Sequence, residues 1–172
     1  MLRFAATALL IVINFVIQAT LFPYIAILGV KPNTAVVLVI CYCILRSDLE
    51  SAAVGFFAGL LQDLFFSRVL GLYTLIYLLI GYLFGKPLRN FYRENYWLPL
   101  LLSLLASFVS DFAVYVFNFL FRGRTDLWYY CSRVILPGAV YTAAVSIPFY
   151  RLVYGINNRL EGRENKRRRM FW

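Results

Sequence analysis

Residues 55–71 read GFFAGLLQDLFFSRVLG. Apolar residues fill most of the stretch, glycines stand at 55 and 59, and an acid, Asp63, sits among leucines and phenylalanines. A carboxylate alone in hydrocarbon costs several kcal/mol, so its presence demands partners from elsewhere in the chain.

The surroundings decide which solvent the stretch meets. The chain has 172 residues, of which 62% are hydrophobic and 15% charged, and its mean hydropathy is +0.74. An ordinary soluble domain is about half apolar and roughly a quarter charged. The apolar excess forms runs at about 4–22, 33–46, 50–67, 70–85, 96–120 and 128–150. A membrane-crossing helix needs roughly 20 mostly apolar residues. The expected fold is an all-α integral membrane protein, with six transmembrane helices in one compact bundle over residues 1–150. Residues 151–172 form a basic tail too polar to insert. Arg3 gives the first run a positive flank, but the run is too long for a signal-peptide core and no small-x-small site follows, so it reads as a retained helix.

Turn chemistry sets the breaks. Lys31-Pro32-Asn33 reads as a helix entry, with Asn33 as cap. Ser67–Gly71 separates the third and fourth runs, and Lys86-Pro87 ends the fourth. Pro137 and Pro148 fall inside the last run, where neighbours can satisfy the freed carbonyls, so bends are expected there.

Lys and Arg set the orientation. With the N-terminus inside, twelve of them fall on the inner side and four (Lys31, Arg68, Arg122, Arg124) on the outer side. Both termini are therefore expected in the cytoplasm. The block Lys166, Arg167, Arg168, Arg169 suits an anionic lipid leaflet as well as a pure topology signal. Nucleic acid is a poor partner for a +9 charge gathered largely in one tail at a membrane face. Cys41, Cys43 and Cys131 lie in apolar runs without metal-ligand spacing, and there is no histidine. They read as small core residues, and no metal or cofactor is expected.

At about 1.5 Å per residue, Asp63 lies roughly 20 Å beyond Glu50, Asp111 roughly 22 Å beyond Tyr96, and Arg133 roughly 8 Å past Trp128 on the returning helix. All three fall in the outer half of the membrane. A buried charge cluster of Asp63, Asp111 and Arg133 is expected, with Asn14, Gln18, Gln62 and Asn118 as further members. It reads as a structural clamp, a ligand or ion site, or catalytic machinery. Nothing resembles a nucleophile–base pair, a phosphate loop or a metal box, so no catalytic residues are assigned.

Gly55-x-x-x-Gly59 and Gly81-x-x-x-Gly85 are faces that let helix backbones approach closely, as do Ser103 and Ser107. They could serve the bundle or a partner helix. Tyr92, Tyr96, Trp97, Trp128, Tyr129 and Tyr130 gather at expected helix ends, as interfacial belts do.

The Lys31-Pro32-Asn33 entry, Arg46, the run 55–75 with Gly71 near its end, and GYLFGK at 81–86 resemble the MreD family of rod shape-determining proteins of bacterial inner membranes. The likeness is distinctive over about 31–86. It implies a non-catalytic subunit of the cell-elongation machinery acting with bitopic MreC, with filament-forming MreB, and with the peptidoglycan synthases RodA and penicillin-binding protein 2. It also implies an architecture similar to the six-helix substrate-binding components of energy-coupling-factor transporters. The expected function is a membrane scaffold that binds MreC and helps position cell-wall synthesis. The rival is a small-molecule binding component of a transporter, with Asp63, Asp111 and Arg133 lining its pocket. A third reading, a membrane enzyme acting on lipid-linked precursors, needs an acid essential for turnover. Homo-oligomerisation is left open.

Overall fold

A helix that is apolar on every side belongs either in a protein core or in a membrane. Residues 34–45, TAVVLVICYCIL, have that character, and in the computed structural model every one of them is buried. The structure describes residues 2–21, 24, 30–67, 70–88, 97–119 and 130–169, without the side chains of 2–4, 87, 88, 118, 119 and 160–169. Among these, the chain forms six α-helices: α1 (Leu2–Thr20), α2 (Thr34–Leu45), α3 (Asp48–Phe66), α4 (Leu72–Leu88), α5 (Trp97–Phe119) and α6 (Leu136–Arg169). Helix α2 is the axis, and the other five all pack on it.

Polarity is inverted relative to a water-soluble domain. Leu9, Val16, Phe57, Phe65, Leu101 and Leu105 are exposed, whereas Asn14, Gln62, Asp63, Ser107, Thr142 and Ser146 are buried. Hydrocarbon accepts apolar side chains outside and leaves polar ones to pair within. Helices α3, α5 and α6 are long and apolar enough to cross a membrane; the apolar parts of α1, α2 and α4 are shorter. At about 1.5 Å per residue, the 12 residues of α2 span about 18 Å, less than the roughly 30 Å of a bilayer core.

The closest pairing is α3 with α4, an antiparallel hairpin in which each chain's glycines meet the other's backbone. A Cβ on Gly59 would lie 2.5 Å from Thr74 Cα, one on Gly81 2.5 Å from Ser51 O, and one on Gly85 2.6 Å from Asp48 Cα. One on Gly55 would collide with the Tyr77 carbonyl. Both small-residue faces therefore serve the bundle itself. Ser51 Oγ adds a hydrogen bond to Gly81 O at 2.9 Å.

Three expectations change. Helix α4 continues through Lys86-Pro87 to Leu88. Helix α6 does not stop near 150 but runs on to Arg169, because the polar sequence after 150 still carries helix formers. Before α6, residues Cys131–Ile135 form a π-turn, closed by Leu136 N–H bonding to Cys131 O. Pro137 explains it. Its ring would press on the carbonyl four residues back, and the wider turn makes room.

Candidate functional site

Helix α4 begins at Leu72, just after Gly71, whose φ is +94°. Leu75 N–H bonds to Gly71 O at 3.0 Å, so Gly71 occupies the capping position. Glycine has no side chain to satisfy the free N–H groups of the first turn. Asp63, eight residues earlier on α3, does it instead. Its Oδ1 accepts from Tyr73 N–H at 3.0 Å, and its Oδ2 from Thr74 N–H at 2.8 Å and Thr74 Oγ1 at 2.6 Å. Asp63 is only 2% exposed. Its charge sits against the positive end of the α4 dipole, worth roughly half an elementary charge. The carboxylate in the apolar run is thus a helix cap supplied by a neighbouring helix.

A second network surrounds the entry to α2. Asn33 caps its own helix, accepting from Val36 N–H at 3.4 Å. Its amide nitrogen donates to Tyr77 Oη at 2.7 Å, and the Tyr77 hydroxyl lies 3.0 Å from Asn33 Oδ1. Asn33 N–H donates to Thr142 Oγ1 at 3.0 Å, which links α2 to α6. Ser107 Oγ is 3.4 Å from both Thr142 Oγ1 and Asp111 Oδ2, which brings in α5. Beside it, Gln18 Nε2 donates to Gln62 Oε1 at 3.2 Å, and Thr34 Oγ1 donates to Gln18 Oε1 at 3.0 Å. One connected layer of amides and hydroxyls therefore joins α1, α2 and α3, and another joins α2, α4, α5 and α6.

The members of the expected charge cluster take different positions. Asp63 and Asp111 both lie within electrostatic reach of the Tyr73 and Tyr77 hydroxyls, but Asp63 is committed to α4. Arg133 lies on the π-turn, and its side chain is exposed. A π-turn holds more residues than an α-turn, so a face counted at 3.6 residues per turn is misplaced there. Asn14 is buried one turn from Gln18, and its Oδ1 has no hydrogen-bond partner among the described residues. Pro32 is buried and Lys31 exposed. Tyr92, Tyr96, Trp128 and Tyr129, and the side chains of Asn118 and Lys166 to Arg169, lie outside the described residues. Trp97 is exposed at its helix end.

Sequence reasoning missed Thr74, Tyr77, Thr34 and Thr142. The available signal for the first was an acid shortly before a glycine turn, followed by a helix that starts with no polar side chain of its own to cap it. Among the described residues no group of three or more acids and cysteines is placed to hold a metal. Cys41 and Cys43 are buried, Cys131 partly so.

The family model described as rod shape-determining protein MreD matches residues 1–159. No curated protein and no solved structure matches the chain.

Proposed function

The chain belongs to the family of rod shape-determining protein MreD, and from that premise we propose that it is a non-catalytic scaffold in the cell-elongation machinery of a bacterial inner membrane. It crosses the membrane six times with both termini in the cytoplasm. It binds MreC and helps position the peptidoglycan synthases RodA and penicillin-binding protein 2, near MreB filaments. The basic end of α6 lies at the cytoplasmic leaflet, where each cation adds about 1 kcal/mol of attraction to anionic lipid.

The family match over 1–159 carries this reading. The site chemistry supports it. The buried polar groups tie helix to helix: Asp63 caps α4, and Asn33 is bonded to Tyr77 and Thr142. A protein built in this way acts by presenting rigid surfaces. The transporter reading drew its pocket from Asp63, Asp111 and Arg133, and it loses support when Asp63 is held by α4 and Arg133 is exposed. Affinity purification of the tagged chain from bacterial membranes should recover MreC. Recovery of an ATPase module without MreC would favour the transporter and contradict the scaffold.

A further inference from the structure

Two acids sit inside the apolar runs, and the fold serves them differently. Asp63 is met by three donors, at 2.6, 2.8 and 3.0 Å. Asp111, on α5, is met by Ser107 Oγ one turn back, 3.4 Å from its Oδ2. Among the described residues Asp111 has no ion-pair partner. An acid at membrane depth that its own fold leaves underserved points to a functional site, and the missing partner is a cation or a proton.

The spacing of the oxygens chooses between them. Ser107 Oγ also stands 3.4 Å from Thr142 Oγ1 on α6. An O–H···O hydrogen bond is about 2.5–3.0 Å long, so both contacts are too open for one. Oxygens at right angles around an ion lie about 1.4 times the ion–oxygen distance apart. A 3.4 Å edge corresponds to roughly 2.4 Å, which is within calcium's range of about 2.3–2.6 Å and suits sodium equally, whereas magnesium at about 2.1 Å gives roughly 3.0 Å and the larger potassium roughly 4.0 Å. Charge separates sodium from calcium. One carboxylate balances one positive charge, and the surplus of a divalent ion is costly at membrane depth.

The oxygens can accept an ion. Thr142 Oγ1 donates to Gly138 O at 2.7 Å and accepts from Asn33 N–H at 3.0 Å, which leaves it one lone pair. Gly138 keeps the approach open, since even a Cβ there would lie only 3.7 Å from Asp111 Oδ2. Tyr73 and Tyr130 stand near enough to feel the Asp111 charge, and their hydroxyls are oxygens of the same hard kind. Cysteine and histidine, whose pattern argues against a transition metal, play no part in such a site.

We propose that Asp111, Ser107 and Thr142 form a sodium site that ties α5 to α6. The inference is independent of the scaffold reading.

The test is thermal unfolding of the full chain in detergent, with sodium chloride exchanged for potassium chloride or choline chloride at constant ionic strength. An ion that binds only the folded state stabilises with the logarithm of its concentration. Melting temperature should climb with sodium and stay level with potassium. Asp111→Asn and Thr142→Val should each weaken the apparent sodium affinity about tenfold or more, the worth of one charge-assisted contact. Ser146→Ala, also on α6 but with its hydroxyl on Ala143 O at 2.6 Å, should keep the whole response. Each comparison is made between salts within one variant, so a lower starting stability does not obscure it. Equilibrium dialysis of the parent against radioactive sodium gives a reading that needs no variant to fold: one ion per chain, displaced by unlabelled sodium and not by potassium. Equal stabilisation by sodium and potassium, no sodium bound by the parent, or an undiminished response in folded Asp111→Asn would overturn the proposal. So would calcium acting at far lower concentration than sodium.

Discussion

Gly59→Leu should lower stability by about 3 kcal/mol or more, the upper range for overpacking, because the obstruction is backbone that cannot rotate away. At Gly59 the first added carbon already falls 2.5 Å from Thr74 Cα. Leucine would push α4 outward, and the Asp63 bonds to Tyr73 and Thr74 lie one turn further along the same seam. Packing and capping are therefore lost together. Helix association in lipid depends on such close approach, since apolar surface gains little by leaving lipid for protein. Gly155→Leu is the control, because a Cβ there meets nothing within 4 Å. Thermal unfolding in detergent, followed by size-exclusion chromatography, should show early aggregation of the Gly59 variant and little change in the Gly155 variant. Equal behaviour of the two would mean that the α3–α4 seam does not hold the fold.

Asp63→Ala should cost about 2–4 kcal/mol, since two part-buried N–H groups and one hydroxyl lose their acceptor at roughly 1–3 kcal/mol each when fully buried, less here because water reaches them in part. Asp63→Asn should cost less, about 1–2 kcal/mol, because one acceptor oxygen remains while the charge against the helix dipole is gone. The same unfolding experiment ranks them. A functional acid gives a different pattern: both variants would accumulate and melt like the parent, yet fail to support rod shape. The cap predicts that shape is lost only as the amount of folded protein falls.

Much of this architecture was readable from local sequence. The helix entry at Lys31-Pro32-Asn33 and the break at 67–71 depend on chain-local chemistry, whereas the glycine pairs read as close-approach faces without saying whether the bundle or a partner helix uses them. The charge cluster was counted by depth, and equal depth is not contact. Asp63 and Arg133 were placed in one layer by counting residues, but which way each faces depends on helix rotation, and the π-turn before Pro137 alters that rotation for Arg133. The Asp63 cap was not legible for another reason. It joins residue 63 to residues 73 and 74 across a turn, and capping rules look only at the residue next to the helix start. The roles of Thr142 and Tyr77 required knowing that α2 lies between α4 and α6, which no spacing within one helix reveals.

A double-mutant cycle decides most directly whether Asp63 belongs to the α3–α4 hairpin. Unfolding free energies are measured for Asp63→Asn, Thr74→Val, Arg133→Gln and the two double variants that contain Asp63→Asn. Residues that share a hydrogen bond couple by about 0.5–3 kcal/mol, and distant ones add within roughly 0.5 kcal/mol. The cap predicts coupling of Asp63 to Thr74 and additivity with Arg133. Additivity with Thr74 together with strong coupling to Arg133 would contradict it and restore the buried ion cluster.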